Sequence, residues 1–106
     1  MTPFCRTRHA AAPTPLNTPD LLAAICDTQT IRKIGTDYRA TTTNERHEDQ
    51  LTDLLTAGLD KNKDQTQQLT TKIKADFVAG RTVTLEGYVI SITEARQCAL
   101  YSIQLP

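Results

Sequence analysis

One stretch near the C-terminus, GRTVTLEGYVISITE at residues 80–94, decides the fold because it holds a hairpin and the start of a helix. Residues 82–85 and 88–91 are rich in β-branched and aromatic residues, which is typical of short strands. The pair Glu86-Gly87 lies between them, and a two-residue connection that ends in glycine favours a tight hairpin. Ser91 and Glu94 match the capping box S-x-x-E, which predicts that a helix begins at Ile92.

The segment after Ser91 has two possible structures. A helix from Ile92 to about residue 103 is favoured by the capping box and by the alanines that follow it. The alternative is a strand, because Ala99, Tyr101 and residues 103 and 105 also alternate. The capping box favours the helix.

Upstream of the hairpin, apolar residues recur at helical spacing in four segments. The first segment begins at Thr18-Pro19-Asp20, with Thr18 as the N-cap, and the second begins after Asp27. The third has Glu45, Glu48 and Asp49 in its first turn, and the fourth runs from about residue 64 to residue 79, with Gly80 just after its end. Gly35, in the second helix, weakens that helix but leaves room for close approach of another element.

The sequence therefore predicts a mainly α fold of four to five short helices, with one C-terminal β-hairpin before the last helix. Pro3, Pro13 and Pro15 block a helix near the start, so residues 1–17 are expected to be a flexible N-terminal tail. Residues 18–106 are expected to form a single helical domain. The predicted core is Leu22, Ile25, Ile31, Ile34, Tyr38, Leu51, Leu54, Leu55, Leu59, Leu69, Ile73, Phe77, Val83, Leu85, Val89, Ile92, Ala95, Ala99 and Ile103.

Composition and motifs argue against several functions. Twelve basic and twelve acidic residues cancel, which argues against nucleic acid as a partner. No apolar run approaches the roughly 18 residues that cross a bilayer. The three cysteines lack CxxC spacing, and no phosphate-binding loop or H-E-x-x-H motif occurs. We expect no enzyme activity, no metal site and no cofactor, with His47 as a surface residue.

The hairpin is the strongest candidate for a partner-binding surface. A lone two-stranded hairpin is only marginally stable in water, so it must pack on its own helices or on a partner chain. The candidate partner-binding residues are Glu86, Tyr88, Ile90 and Arg96. Tyr88 and Val89 must point to opposite faces of the strand, and Val89 is the easier of the two to bury, so Tyr88 is expected to face the partner.

The segment from Gly80 to Leu100 resembles the C-terminal stretch of small bacterial proteins that carry twin-arginine export signals. The shared residues are Gly80, Glu86, Gly87, Tyr88, Ile90, Ser91, Thr93, Glu94, Ala95, Arg96, Cys98, Ala99 and Leu100. This chain itself has no adjacent pair of arginines. An exported, periplasmic location is therefore implied by the resemblance alone, and the alternative location is the cytoplasm.

A second resemblance concerns the order of elements from the fourth helix onwards. This order of elements is similar to that in the small subunits of membrane-bound FAD-dependent sugar dehydrogenases. Residues 76–80 (DFVAG) correspond to an aromatic–glycine junction in those subunits, and Glu94-Ala95 corresponds to a later Glu-Ala pair. That resemblance implies a non-catalytic accessory or small subunit that binds and stabilises a larger exported enzyme, an oxidoreductase. The alternative function is a free-standing domain that binds a small molecule or a metal.

Overall fold

The computed structural model of the chain describes residues 12–105. Within that range the chain forms five α-helices, a 3-10 turn and one antiparallel hairpin. In chain order these are α1 (Asp20–Ala23), α2 (Thr28–Thr41), the 3-10 turn (Thr43–Glu45), α3 (Glu48–Thr56), α4 (Gln65–Ala79), β1 (Thr82–Leu85), β2 (Tyr88–Ser91) and α5 (Ile92–Gln104). The predicted mainly α fold with a hairpin before the last helix is confirmed, and the region after Ser91 is helix rather than strand.

Side-chain caps explain where two of the long helices begin. The Asp27 carboxylate accepts the Thr30 backbone N–H at 2.8 Å at the start of α2. The Asp64 carboxylate accepts the Thr66 backbone N–H at 3.0 Å at the start of α4. Each cap satisfies a backbone donor that has no partner inside the first turn of the helix.

The start of α5 confirms the predicted capping box, whereas the predicted cap of α1 is wrong. Ser91 Oγ accepts the Glu94 N–H, and Glu94 Oε1 accepts the Ser91 N–H, both at 3.0 Å. At α1 the N-cap is Pro19, with no side-chain cap. The Thr18 hydroxyl donates instead to the Asn17 side chain at 2.9 Å, so α1 lacks a capping bond and is only four residues long.

Helices α2 and α5 cross closely at Gly35. A Cβ atom at this position would lie 2.0 Å from the Cys98 carbonyl oxygen and 2.8 Å from the Ala99 nitrogen. Only glycine allows two backbones to approach this closely. The close approach that Gly35 predicts is therefore present, and it brings α5 into the centre of the core.

The hairpin has the predicted two-residue turn, with both Glu86 and Gly87 at positive φ, 51° and 82°. In the register of the strands, Val83 pairs with Ile90 and Leu85 pairs with Tyr88. Ile90 is buried and the other three members of these pairs pack against the core. The two pairs thus form the inner face of the hairpin.

The core forms around α2 and α5. Its buried apolar residues are Leu22, Ile31, Ile34, Tyr38, Leu51, Leu55, Leu69, Ile73, Ile90, Ala95, Cys98, Ala99 and Leu100. The prediction of the core is wrong for three residues, because Ile25, Phe77 and Val89 are 71%, 47% and 62% exposed.

Each of these three errors has a local cause. Ile25 follows the end of α1, so no helix directs its side chain inwards. On α4, Asp76 is buried one position before Phe77 and takes the place in the inward face that the apolar spacing assigned to Phe77. Val89 lies on the outer face of β2, because its neighbour Ile90 pairs with Val83 on the inner face.

Part of the predicted flexible tail, residues 12–17, contacts the helical domain, and residues 1–11 of that tail lie outside the described range. Asn17 is fully buried, and its Nδ2 donates to Gln104 Oε1 at 3.0 Å. Gln97 Nε2 donates to the Pro15 carbonyl at 2.9 Å, and Leu16 packs against the core. These contacts fix residues 12–17 along α5, although their prolines and lack of periodicity resemble a tail.

Candidate functional site

Ile90 was predicted to bind a partner, but the structure places it in the core. It is 2% exposed and pairs across the hairpin with Val83. Its side chain lies on the inner face of the hairpin together with that of Val83. Ile90 is therefore covered almost entirely by its own chain.

Arg96 was also predicted to meet a partner, and it is instead paired inside the molecule. Its Nε and Nη2 donate to the two carboxylate oxygens of Glu45 at 2.8 and 3.3 Å. The Tyr38 hydroxyl donates to Glu45 Oε1 at 2.7 Å. The acidic group that Arg96 binds therefore belongs to the 3-10 turn of the same chain.

This Tyr38–Glu45–Arg96 cluster shifts the protonation equilibria of its members. Burial, together with the hydrogen bond to Glu45, raises the pKa of Tyr38 to about 12. Burial alone would raise the pKa of Glu45, but the hydrogen bonds from Arg96 and Tyr38 outweigh it and lower that pKa. The cluster therefore holds Glu45 ionised and Tyr38 protonated, and it ties α2, the 3-10 turn and α5 together.

A second buried polar cluster joins α4 to the start of α5. Asp76 is 4% exposed, and its Oδ2 accepts the Thr93 backbone N–H at 2.9 Å and the Thr93 hydroxyl at 2.6 Å. Its Oδ1 accepts Arg81 Nε at 3.0 Å. Asp76 thus supplies a cap to α5 from a neighbouring helix, and sequence spacing could not reveal it because the partners are 17 residues apart.

Tyr88 and Val89 occupy the opposite faces that alternation predicts, but the assignment of the faces is reversed. Tyr88 is half-buried and packs against the core, whereas Val89 is exposed. A hydrogen bond with the Cys26 side chain and the nearby Asp27 carboxylate raise the pKa of Tyr88. Tyr88 also lines a shallow groove at the surface.

Glu86 is a predicted partner residue that lies at the surface, with its side chain 30% exposed. It lies in the hairpin turn, and its carboxylate is 3.7 Å from Lys33 Nζ. The neighbouring Asp37 carboxylate raises the pKa of Glu86. Because an exposed ion pair of this kind contributes little stability, Glu86 is available for other contacts.

The exposed apolar residues are concentrated at one place, where α1, the end of α4 and β2 meet. Leu21, Ile25, Phe77 and Val89 are 47–71% exposed and border a shallow groove of about 270 Å³. Val78 lies beside Phe77 on the exposed side of α4 and is 90% exposed. We call this groove and its rim the apolar groove; its lining residues are Leu21, Leu22, Ile25, Phe77, Tyr88, Val89, Ile90 and Glu94.

The apolar groove combines seven apolar or aromatic side chains with one carboxylate, that of Glu94. Exposed apolar surface that is gathered in one place marks binding sites on soluble domains. The sequence indicated the hairpin as part of the site, but neither α1 nor Phe77. The exposure of Phe77 depends on how α4 is rotated about its axis. Hairpin residues Tyr88 and Val89 are therefore one wall of a site that three elements build.

Two further properties concern the part of the chain that the structure describes. Between residues 12 and 105, no group of three or more histidine, cysteine or acidic side chains is arranged to hold a metal ion. No helix in the same range has the length and apolar character needed to cross a membrane. Cys26 and Cys98 carry free thiols, and burial raises the pKa of Cys98.

No model of a protein family matches this chain, and neither a curated protein nor a solved structure matches it significantly.

Proposed function

We propose that this chain is a non-catalytic accessory subunit that binds and stabilises a larger protein through the apolar groove. The observation that carries the proposal is the exposure of Ile25, Phe77 and Val89 on adjoining elements. A domain with so few large apolar residues gains stability by burying them, so their joint exposure favours burial in a complex. The class of the partner, an exported oxidoreductase, comes from the resemblance of residues 80–100 to exported proteins and of the element order to dehydrogenase small subunits.

The size of the effect favours a protein partner over a small ligand. Covering an apolar side chain that is half exposed contributes about 1 kcal/mol, so the rim residues together contribute about 4–5 kcal/mol before any cost of association. A binding free energy of that size corresponds to a dissociation constant in the millimolar range. A stable interface covers about 800 Å² on each partner, and the chain exposes 6375 Å². The groove would then be the centre of an interface that extends over neighbouring surface.

The polar side chains of the core support a structural rather than a catalytic role. Glu45 and Arg96 are held by each other, and Asp76 is held by Thr93 and Arg81. A general acid or base needs a proton acceptor or donor within reach of a substrate. These groups face partners inside the fold and stabilise the packing of its helices.

The alternative is a free-standing domain that binds a small molecule, and the same groove supports it. Its volume of about 270 Å³ lies near the lower limit for ligand sites. A small apolar ligand with one cationic group would fit the lining.

Co-purification tests the proposal directly. The tagged chain would be expressed in its native cells and purified with its partners, which mass spectrometry would quantify. We expect one larger protein in stoichiometric yield with the wild type, at least tenfold less with Val89→Lys, and no loss with Asn62→Lys. Both variants should keep the wild-type melting temperature, because Val89 and Asn62 are exposed. Equal recovery with Val89→Lys would contradict the proposal, and a small molecule retained in native mass spectra would favour the alternative.

A further inference from the structure

We infer that the partner segment that fills the apolar groove carries a cationic side chain, lysine or arginine, which pairs with Glu94. This inference rests on the proposed function and specifies the chemistry of its partner. The groove is otherwise apolar, so the segment would present aliphatic or aromatic side chains next to its single cation.

The lining of the apolar groove carries negative charge only. Glu94 is the only charged residue in its lining. Asp20 is adjacent in the chain to Leu21 of the rim, and Asp27 is close enough to the Tyr88 hydroxyl to affect its pKa. The nearby cation Arg81 is paired with Asp76. An incoming segment therefore meets carboxylates with no balancing cation in the lining, which favours a positively charged partner.

The geometry of Glu94 leaves one of its oxygens available. The residue is 5% exposed, and its Oε1 accepts the Ser91 N–H in the capping box of α5. No hydrogen bond to its other oxygen, Oε2, is present within residues 12–105, and Oε2 is not among the fully buried unpaired atoms of that range, so it can be reached from the groove. An ammonium or guanidinium that reaches this oxygen would form a charge-assisted hydrogen bond with it.

The same charge argues against a second copy of this chain as the occupant. In a symmetric dimer the same patch lies on both sides of the interface. Two apolar grooves placed face to face would bring the Glu94 carboxylates and the Asp20 and Asp27 rims towards each other. Like charges across an interface disfavour association, so the complementary surface must belong to a different, cationic protein.

Peptide selection tests the inference without knowledge of the natural partner. Random 12-residue peptides displayed on phage would be selected on the full chain, and those that still bind Val89→Lys would be removed. We expect the groove-dependent peptides to combine apolar residues with an excess of lysine or arginine. Replacing that cation in a selected peptide by glutamine should weaken binding about tenfold or more.

Glu94→Gln is the protein variant that complements the glutamine-substituted peptides, because it removes the carboxylate instead of the cation. Glutamine can accept the Ser91 N–H in the same capping box, so the melting temperature should stay close to that of the wild type. The selected peptides should bind Glu94→Gln about tenfold more weakly, with a smaller dependence on salt. If Glu94→Gln is unstable, the glutamine-substituted peptides on the wild-type protein give the same comparison.

The possible outcomes separate the inference from the proposed function. Groove-dependent peptides without an excess of cations would overturn the inference and leave the docking function standing. If selection yields no peptide that Val89→Lys excludes, the apolar groove does not bind protein segments and both fail. A dimer in sedimentation experiments that Val89→Lys disrupts would show that the occupant is a second copy. Tighter peptide binding by a chain that lacks residues 1–11 would show that this segment is the occupant, and either result would overturn the inference.

Discussion

The substitution Gly35→Ala tests the packing of α2 on α5, which positions every other element. The added Cβ would lie 2.0 Å from the Cys98 oxygen and 2.4 Å from the Cys98 carbonyl carbon. Both atoms are backbone, so no side-chain rotation can relieve the contact. The two helices would have to separate by roughly 1 Å before the contact became one that real Cβ atoms make.

Two effects of opposite sign decide the result. Alanine is a better helix former than glycine and would stabilise an exposed helical position by about 1 kcal/mol. Forcing an extra carbon into a packed core costs about 3 kcal/mol when the neighbours are rigid. We therefore expect Gly35→Ala to lower the free energy of unfolding by about 2 kcal/mol, which for a domain of this size lowers the melting temperature by about 8–16 °C.

Urea unfolding followed by circular dichroism at 222 nm measures this change. Thr36→Ala is the matched control, because residue 36 is the next position on α2 and is exposed. The control should leave stability within about 0.5 kcal/mol of the wild type. If Gly35→Ala stabilises the protein or leaves it unchanged, the helices do not cross as closely as described here.

Three further predictions concern the buried polar clusters. Asp76→Ala leaves the Thr93 N–H and hydroxyl without an acceptor, and urea unfolding should show a loss of about 2–4 kcal/mol; a loss below 1 kcal/mol would contradict the role of Asp76. Because the pKa of Glu45 is lowered in the fold, its contribution to stability is present above its ordinary value of 4.5 and is lost as the pH falls through the folded value. Glu45→Gln should therefore flatten the decline of melting temperature below pH 4.5, and an unchanged decline would argue against the pair with Arg96. One phenol should titrate near pH 12 by absorbance at 295 nm and should disappear in Tyr38→Phe, whereas the same titration above pH 11 in the wild type and in Tyr38→Phe would contradict the burial of Tyr38.

Local sequence signals were sufficient for the order of the elements. Asp27, Asp64 and Ser91 cap helices through contacts two or three residues away, and the Glu86-Gly87 turn needs only its two residues at positive φ. Such contacts lie within one turn of the chain, so the sequence displays them directly. The same holds for Gly35, whose position in an apolar stripe already indicates a close approach.

The faces of the elements were harder to predict, because long-range pairs set them. Val89 was assigned to the core since valine is easily buried, yet the pairing of Ile90 with Val83 turns Val89 outwards. Phe77 has the spacing of a core residue, yet Asp76 takes the inward position to reach Thr93. The apolar groove arises from these two reversals, and so the sequence could not locate it.

The residues that carry the resemblance to exported proteins have structural roles in this fold. Gly80 ends α4 at a φ of 75°, and Gly87 completes the hairpin turn. Thr93 binds Asp76, and Arg96 binds Glu45. These residues of the pattern therefore stabilise the packing of the hairpin and α5 on the rest of the fold.

Site-specific photo-crosslinking in the native cells tests the central claim, that the apolar groove is covered by a larger protein. A benzophenone amino acid would replace Val89 in the groove in one variant and Asn62 in a second. Residue 62 lies beyond the opposite end of α4 from Phe77, roughly 20 Å along the helix. We predict a single heavier adduct from position 89, containing a protein larger than this chain, and no such adduct from position 62. No adduct from position 89, or the same adducts from both positions, would contradict the account.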